Sequence, residues 1–330
     1  MLITFGRNVN NLLHNKMLGG DVKRLILALL VSFALLLSGC ASQTGAGAAP
    51  TGEEKMGVAV TLLPQKQIAE RIGGNHVDVV VMVPPGASPH SYEPTPQQMA
   101  KVADSKIYFM VGSGVEFEIV WMEKVLQTNP QLEVVNGSEN IKLIEMRVHE
   151  HGEEGKTSGH EEEDYHYEGA MDPHVWTSVR NTEAMARSFY AKLVDTDPKN
   201  AEEYKKNLDG YLAELHSLDS GASSTFAGAT NRKFIVFHPA WGYFAADYGL
   251  EQIAMEDAGK EPTPRALATL VEAAGENSIK VVFVSPQFSA QSANSLAQEI
   301  GGKVVVIDPL AEDYIGNTKA VISAFSSTLK

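Results

Sequence analysis

From Met56 onward, short apolar runs alternate with stretches whose apolar residues recur every three or four positions. Residues 57–63 and 77–83 have the length and β-branched content of strands, and the segment between them reads as a helix stopping at Gly73-Gly74. Residues 97–104 place Met99, Val102 and Ala103 on one helical face, and 107–111 form a further apolar run. Phe117, Val120, Trp121 and Val125 then mark a helical stripe, and 132–135 another short strand. Strand and helix in strict alternation predict a mostly parallel sheet covered by helices.

The pattern breaks at 148–168, where four histidines and eight acidic residues fall within the 20 positions from His149 to Glu168. Such a stretch cannot build a core and reads as a solvated insertion. After Trp176 the periodicity is helical as far as about Val194, and Asp197-Pro198 interrupts it. From about Lys199, Ala201, Tyr204, Leu208, Tyr211, Leu212, Leu215 and Leu218 recur at helical spacing. Continued to Phe226, this helix would be roughly 40 Å long, at 1.5 Å per residue.

The α/β alternation then resumes. Residues 234–237, 252–255, 281–284 and 304–307 read as strands, the last two as buried ones. Helices are expected over 241–248, after the Thr263-Pro264 cap, and around Ala293, Leu296, Ala297 and Ile300. The predicted fold is therefore α/β: two mostly parallel-sheet lobes, 57–178 and 229–330, joined by a helical region, 179–228, that contains one long linker helix.

The N-terminal residues belong to a different category. Lys23 and Arg24 precede an apolar run, 25–37, that is too short to span a membrane and ends in Leu37-Ser38-Gly39-Cys40. This is the form of a bacterial lipobox, with 1–39 as signal peptide and lipid attached to Cys40. Either Met1 or Met17 fits as the start. Residues 40–56, rich in Gly, Ala, Ser and Thr, read as a flexible tether. Cys40 is the chain's single cysteine, so no disulfide is possible within the chain, and a metal site would draw on His and carboxylates. Net charge is −14, and loss of 1–39, with four basic residues and one acidic, makes it −17. That balance excludes nucleic acid as a partner and suits cations. A monomer is expected.

Four residues share one setting, a strand end or loop stiffened by proline. His90 lies in GASPHSYEPTP, residues 86–96, directly after the strand 77–83; His174 lies in MDPHVW; His238 follows the strand 234–237 in FHPAWGYF; Asp308 follows the strand 304–307 in VVIDPL. In parallel α/β sheets ligands bind beyond the carboxyl ends of strands. Individually, His174 could be a satisfied core histidine, His238 a helix cap and Asp308 an N-cap. Together, three imidazoles and one carboxylate suit Zn²⁺ in tetrahedral geometry, and a crevice between the lobes would collect them. Glu93, three residues past His90, is a candidate to orient an imidazole or to substitute as a ligand.

These motifs, in this order across nearly all of the mature chain, resemble the metal-binding class of ABC-transporter solute-binding lipoproteins, in its zinc branch. The resemblance implies two lobes joined by a long helix, with the metal between them held by His90, His174, His238 and Asp308. The function implied is extracytoplasmic binding of Zn²⁺ and its delivery to an ABC-transporter permease, with no bond broken. His238 stands where manganese members carry a carboxylate, which favours Zn²⁺ over Mn²⁺. The insertion, with His149, His151, His160 and His166, matches the metal-rich loop of zinc members, an auxiliary capture site. Affinity is expected to fall as pH drops through the histidine range. Left open are a manganese member, a surface-anchored zinc hydrolase (although HExxH is absent), a binder of metal chelates and an adhesin role.

Overall fold

Two four-stranded parallel sheets form the body of the molecule, as seen in a computed structural model that describes residues 55–146, 170–256 and 259–329. The signal peptide, Cys40, nearly all of the tether and the His/acidic insertion with His149, His151, His160 and His166 lie outside the described residues.

The first sheet contains β1 (Met56–Val60), β2 (Val77–Val81), β3 (Ile107–Met110) and β4 (Glu133–Asn136), in the order β2-β1-β3-β4. Its helices are α1 (Leu63–Gly73), α2 (Pro96–Ala103) and α3 (Glu116–Thr128). The second sheet has β5 (Lys233–Val236), β6 (Glu251–Ala254), β7 (Val281–Val284) and β8 (Lys303–Val306), in the order β6-β5-β7-β8. With it go α6 (Gly242–Tyr248), α7 (Pro264–Glu276), α8 (Gln291–Glu299) and α9 (Tyr314–Ser326); between the sheets run α4 (Val179–Thr196) and α5 (Ala201–Phe226). In each sheet the chain starts next to one edge and reverses direction of winding, so the crevice beyond the strand ends is a topological switch point.

The long helix α5 has 26 residues, and its buried stripe serves two cores. Tyr204, Leu208, Tyr211, Leu212, Leu215 and Leu218 pack into the core of the first sheet, whereas Ala222 and Phe226 pack into that of the second. Each such buried leucine contributes about 1.5–3 kcal/mol relative to an exposed one. The last helix, α9, does the same: Tyr314 and Ile315 belong to the first core, Val321 and Phe325 to the second. Two helices thus stitch the lobes together.

Two expectations of burial fail. Val120, assigned to the inward stripe of α3, is 64% exposed; the helix buries Phe117, Glu118 and Val125 instead. The inward place next to Phe117 is taken by the Glu118 carboxylate, which accepts hydrogen bonds from Val111 N (2.6 Å), Gly112 N (2.9 Å) and the Thr61 hydroxyl. The strand at 304–307 is not wholly buried either: β8 is an edge strand, and Val306 is 63% exposed. Among the described residues, no helix is long and apolar enough to cross a membrane.

Candidate metal centre

His90 is delivered by a loop fixed by more than its prolines. Gln98, on the first turns of α2, donates from Nε2 to the carbonyls of Val81 (3.0 Å) and Met82 (2.7 Å), and its Oε1 accepts from Tyr92 Oη (2.8 Å) and Thr95 N (2.9 Å). One amide therefore ties the strand end, the loop and the helix start together. Phe117 N at the head of α3 donates to Pro89 O (3.1 Å), which brings Glu116 alongside His90. Glu116 Oε2 lies 2.8 Å from His90 Nδ1. Burial alone would raise the Glu116 carboxyl, but the adjacent His90 outweighs it and holds the carboxyl below its ordinary range.

His174 sits in a tight turn. Asp172 Oδ1 accepts from both His174 N (2.9 Å) and His174 Nδ1 (2.8 Å), and Tyr243 Oη donates to Asp172 O (2.9 Å). Gly242 makes room for this carboxylate: a Cβ there would come within 2.3 Å of Asp172 Oδ2. Gly242→Ala is accordingly expected to lower stability by about 1–2 kcal/mol, the usual cost of overpacking, read as a drop in the urea midpoint.

His238 is placed by sheet register. β5 and β6 pair with Val236 opposite Ala254, and two residues further along each strand stand His238 and Glu256. His238 Nδ1 and Glu256 Oε1 are 2.6 Å apart. The HPAWG turn beyond is pinned by Gln252, which accepts from Trp241 N (3.0 Å) and donates to Pro239 O (3.1 Å). Phe288 stacks on the His238 ring at 4.7 Å between centroids. Burial pushes the His238 imidazole down to about 4, and the adjacent Glu256 only partly offsets it, so the ring is neutral at physiological pH.

The three imidazoles meet at their Nε2 atoms. His238 Nε2 is 3.0 Å from His174 Nε2 and 3.2 Å from His90 Nε2. A carboxylate can only accept, so the Nδ1 atoms of His174 and His238, bonded to Asp172 and Glu256, carry the ring proton and their Nε2 atoms present lone pairs to the cage. Lone pairs facing one another at this distance repel unless a cation lies among them. Tetrahedral Zn–N bonds of about 2.0–2.1 Å set nitrogens about 3.3 Å apart, close to the spacing here. Carboxylates on the far nitrogens orient the rings and raise their basicity, as in carboxylate–histidine–zinc arrangements. His174 and His238 are buried, while His90, with 28% of its side chain exposed, marks the open side.

The sequence brought forward four ligand candidates and one orienting carboxylate. His90, His174 and His238 converge as one group that could hold a metal ion, and Asp308 does not join it among the described residues. Asp308 stands at the end of β8 with Oδ1 accepting from Gln287 Nε2 and Leu310 N, both at 2.9 Å. Nor does it cap a helix: Asp313 caps α9. Glu93 is exposed, and the carboxylate at His90 is Glu116. Glu116, Asp172 and Glu256 escaped the sequence reading, although Asp172 and Glu256 carried signals: one two residues before a candidate histidine, the other just past the strand neighbouring that of His238.

Two parallel-sheet lobes stitched by shared helices, with an imidazole cage fed from both sides, define a solute-binding protein whose solute is a metal ion. The chain belongs to the family described as zinc-uptake complex component A, periplasmic, whose model matches residues 58–328. It is 31% identical over 278 residues to the high-affinity zinc uptake system protein ZnuA of Bacillus subtilis, covering 84% of this chain and 85% of that one. It is 30% identical over 284 residues to a putative metal-binding protein of Treponema pallidum, with 86% and 87% covered. A crystal structure of ZnuA superimposes with a TM-score of 0.75 at 35% identity, covering 84% of this chain and 100% of the other; a ZnuA deletion mutant with zinc bound gives 0.74 at the same identity, with 84% and 99% covered. Members of this family are uptake components rather than enzymes, which sets aside the surface hydrolase.

Proposed function

We propose that this chain is an extracytoplasmic zinc-binding protein, anchored through lipid on Cys40, that hands Zn²⁺ to an ABC-transporter permease. The observation that carries the reading is the convergence of three Nε2 atoms, each from a ring whose Nδ1 faces a carboxylate. His90, His174 and His238 are the ligands, and the fourth position is left to solvent or to a ligand of the acceptor. Three nitrogen donors favour Zn²⁺ over the harder Mn²⁺. Similar proteins, a zinc uptake protein of Bacillus subtilis and a zinc-bound ZnuA deletion mutant among them, support the same choice. The insertion with His149, His151, His160 and His166 supplies weaker sites that gather zinc near the cage.

Equilibrium dialysis followed by elemental analysis tests both parts. The mature protein should retain one tightly held zinc per chain, and absence of stoichiometric zinc refutes the proposal. Deleting 148–168 should leave the tight zinc in place and lower the total bound at higher zinc; an unchanged total removes the capture role from the insertion.

A further inference from the structure

Beside the cage lies a polar contact that metal binding by three histidines leaves unexplained. Asp308 stands just past the end of β8, and contacts of its sequence neighbour and of its side-chain partner lead to the imidazoles. Pro309 O accepts from Trp176 Nε1 (2.8 Å), and the Trp176 ring packs edgewise on His174 at 5.3 Å between centroids. Gln287 lies on the other flank, immediately before the Phe288 that stacks on His238. Yet the Asp308 carboxylate is engaged elsewhere, with both the Gln287 amide and Leu310 N on Oδ1. Its backbone is held too, Asn317 Nδ2 donating to Asp308 O at 2.7 Å.

The orientation of Gln287 is fixed by this contact, since turning the amide over would set its oxygen against a carboxylate. The cost is visible on the other atom: Gln287 Oε1 is buried and has no hydrogen-bond partner. A group left unsatisfied in this way implies that donation to Asp308 is what the side chain is placed for.

We propose that Gln287 is a positioning residue that sets the metal preference of the cage by latching the Asp308 carboxylate outside it. This rests on the reading of His90, His174 and His238 as the metal site. With the latch closed, the donor set is three nitrogens, which suits a borderline-soft ion. With Asp308 released, an anionic oxygen joins the set, and harder ions such as Mn²⁺ gain more than Zn²⁺ does.

The test compares Zn²⁺ and Mn²⁺ affinities by competition calorimetry in the wild type, Q287M, Q287A, D308N and Q287M/D308N. Methionine preserves the packing volume, and the alanine variant checks that any effect follows loss of the amide. Both Gln287 variants should shift the Mn²⁺ to Zn²⁺ affinity ratio towards manganese by about tenfold, in the range expected for a partner acting through a ligand. Q287M/D308N should return the ratio to the wild-type value, which a purely structural role of Gln287 would not do. D308N alone should leave it unchanged. An unchanged ratio in Q287M and Q287A, a shift that persists in the double variant, or weakened zinc binding in D308N alone would each overturn the latch while leaving the cage intact. Failure of the wild type to bind zinc would overturn the cage itself, and the latch with it.

Discussion

Replacing His174 or His238 with alanine is expected to weaken zinc binding by more than about 100-fold, the upper range for residues that merely support a ligand. Titration calorimetry at neutral pH reads it directly. Each substitution removes one of three Nε2 atoms and also strands a carboxylate, Asp172 or Glu256, in a buried site with its imidazole partner gone. A buried carboxylate that loses its side-chain partner is costly, so these variants should also lose stability without metal. H90A should lose zinc as well but fold nearly as well as the wild type, because His90 lies on the open side, where water can reach Glu116. E93A, altering an exposed loop carboxylate, should bind like the wild type. Wild-type zinc affinity in H174A or H238A would refute the cage.

The parts of this centre that the sequence revealed are those fixed by local rules. A histidine or aspartate at a strand end or in a loop, fenced by proline, is visible in a window of ten residues, and the three imidazoles were found in that way. Their carboxylate partners are set by register and packing. Glu256 reaches His238 because β5 and β6 are adjacent and parallel, and Glu116 reaches His90 because Phe117 N is bonded to Pro89 O. Neither adjacency exists in the sequence before the fold does. The same limit explains Glu93: closeness in sequence gave it the role, and the loop turned it outward. It also explains Val120 and Val306, for periodicity locates a stripe or a run but does not say whether an inward place goes to a buried acid such as Glu118, or whether a strand ends a sheet. Asp308 is the instructive case. Its context matched the other three, and its carboxylate is held by Gln287, from another loop, together with Leu310 N.

The shared helices bear on how metal would leave. α5 and α9 each bury side chains in both cores, so rotating one lobe against the other would pull Ala222, Phe226, Val321 and Phe325, or their counterparts at the opposite ends, out of close packing. Cores at this density resist such strain. The loop carrying His90 is tied to its surroundings by the Gln98 amide, the Phe117 N–Pro89 O bond, the Glu116 contact and Tyr92 stacked on Phe117, and it bears the most exposed ligand. Release through local motion of that loop disrupts far less than lobe rotation. This agrees with a long connecting helix being a stiff joint.

Acidification should destabilise the metal-free protein through His238. Its unfolded value is near 6.5 and its folded value is about 4, because burial disfavours the charged ring more than Glu256 restores it. Between those values the unfolded chain binds a proton at this site and the native chain does not, so stability falls as pH falls. The contribution is complete above about pH 6.5 and is lost progressively down to about pH 4, to a total of about 3 kcal/mol. H238Q provides the comparison, because glutamine does not titrate yet keeps a donor for Glu256. Urea midpoints of metal-free wild type and H238Q, taken from about pH 7.5 to about pH 4.5, should converge as pH falls, with the wild type the steeper. Glu118, raised by burial, works in the opposite sense, losing stability as pH rises through its range, and it is common to both proteins. Glu116, held low beside His90, loses stability on acidification as His238 does, and it too cancels in the comparison. Parallel slopes would show that His238 titrates normally. Converging midpoints carry a consequence for the loaded protein: protons do not compete for this ligand across the ordinary histidine range.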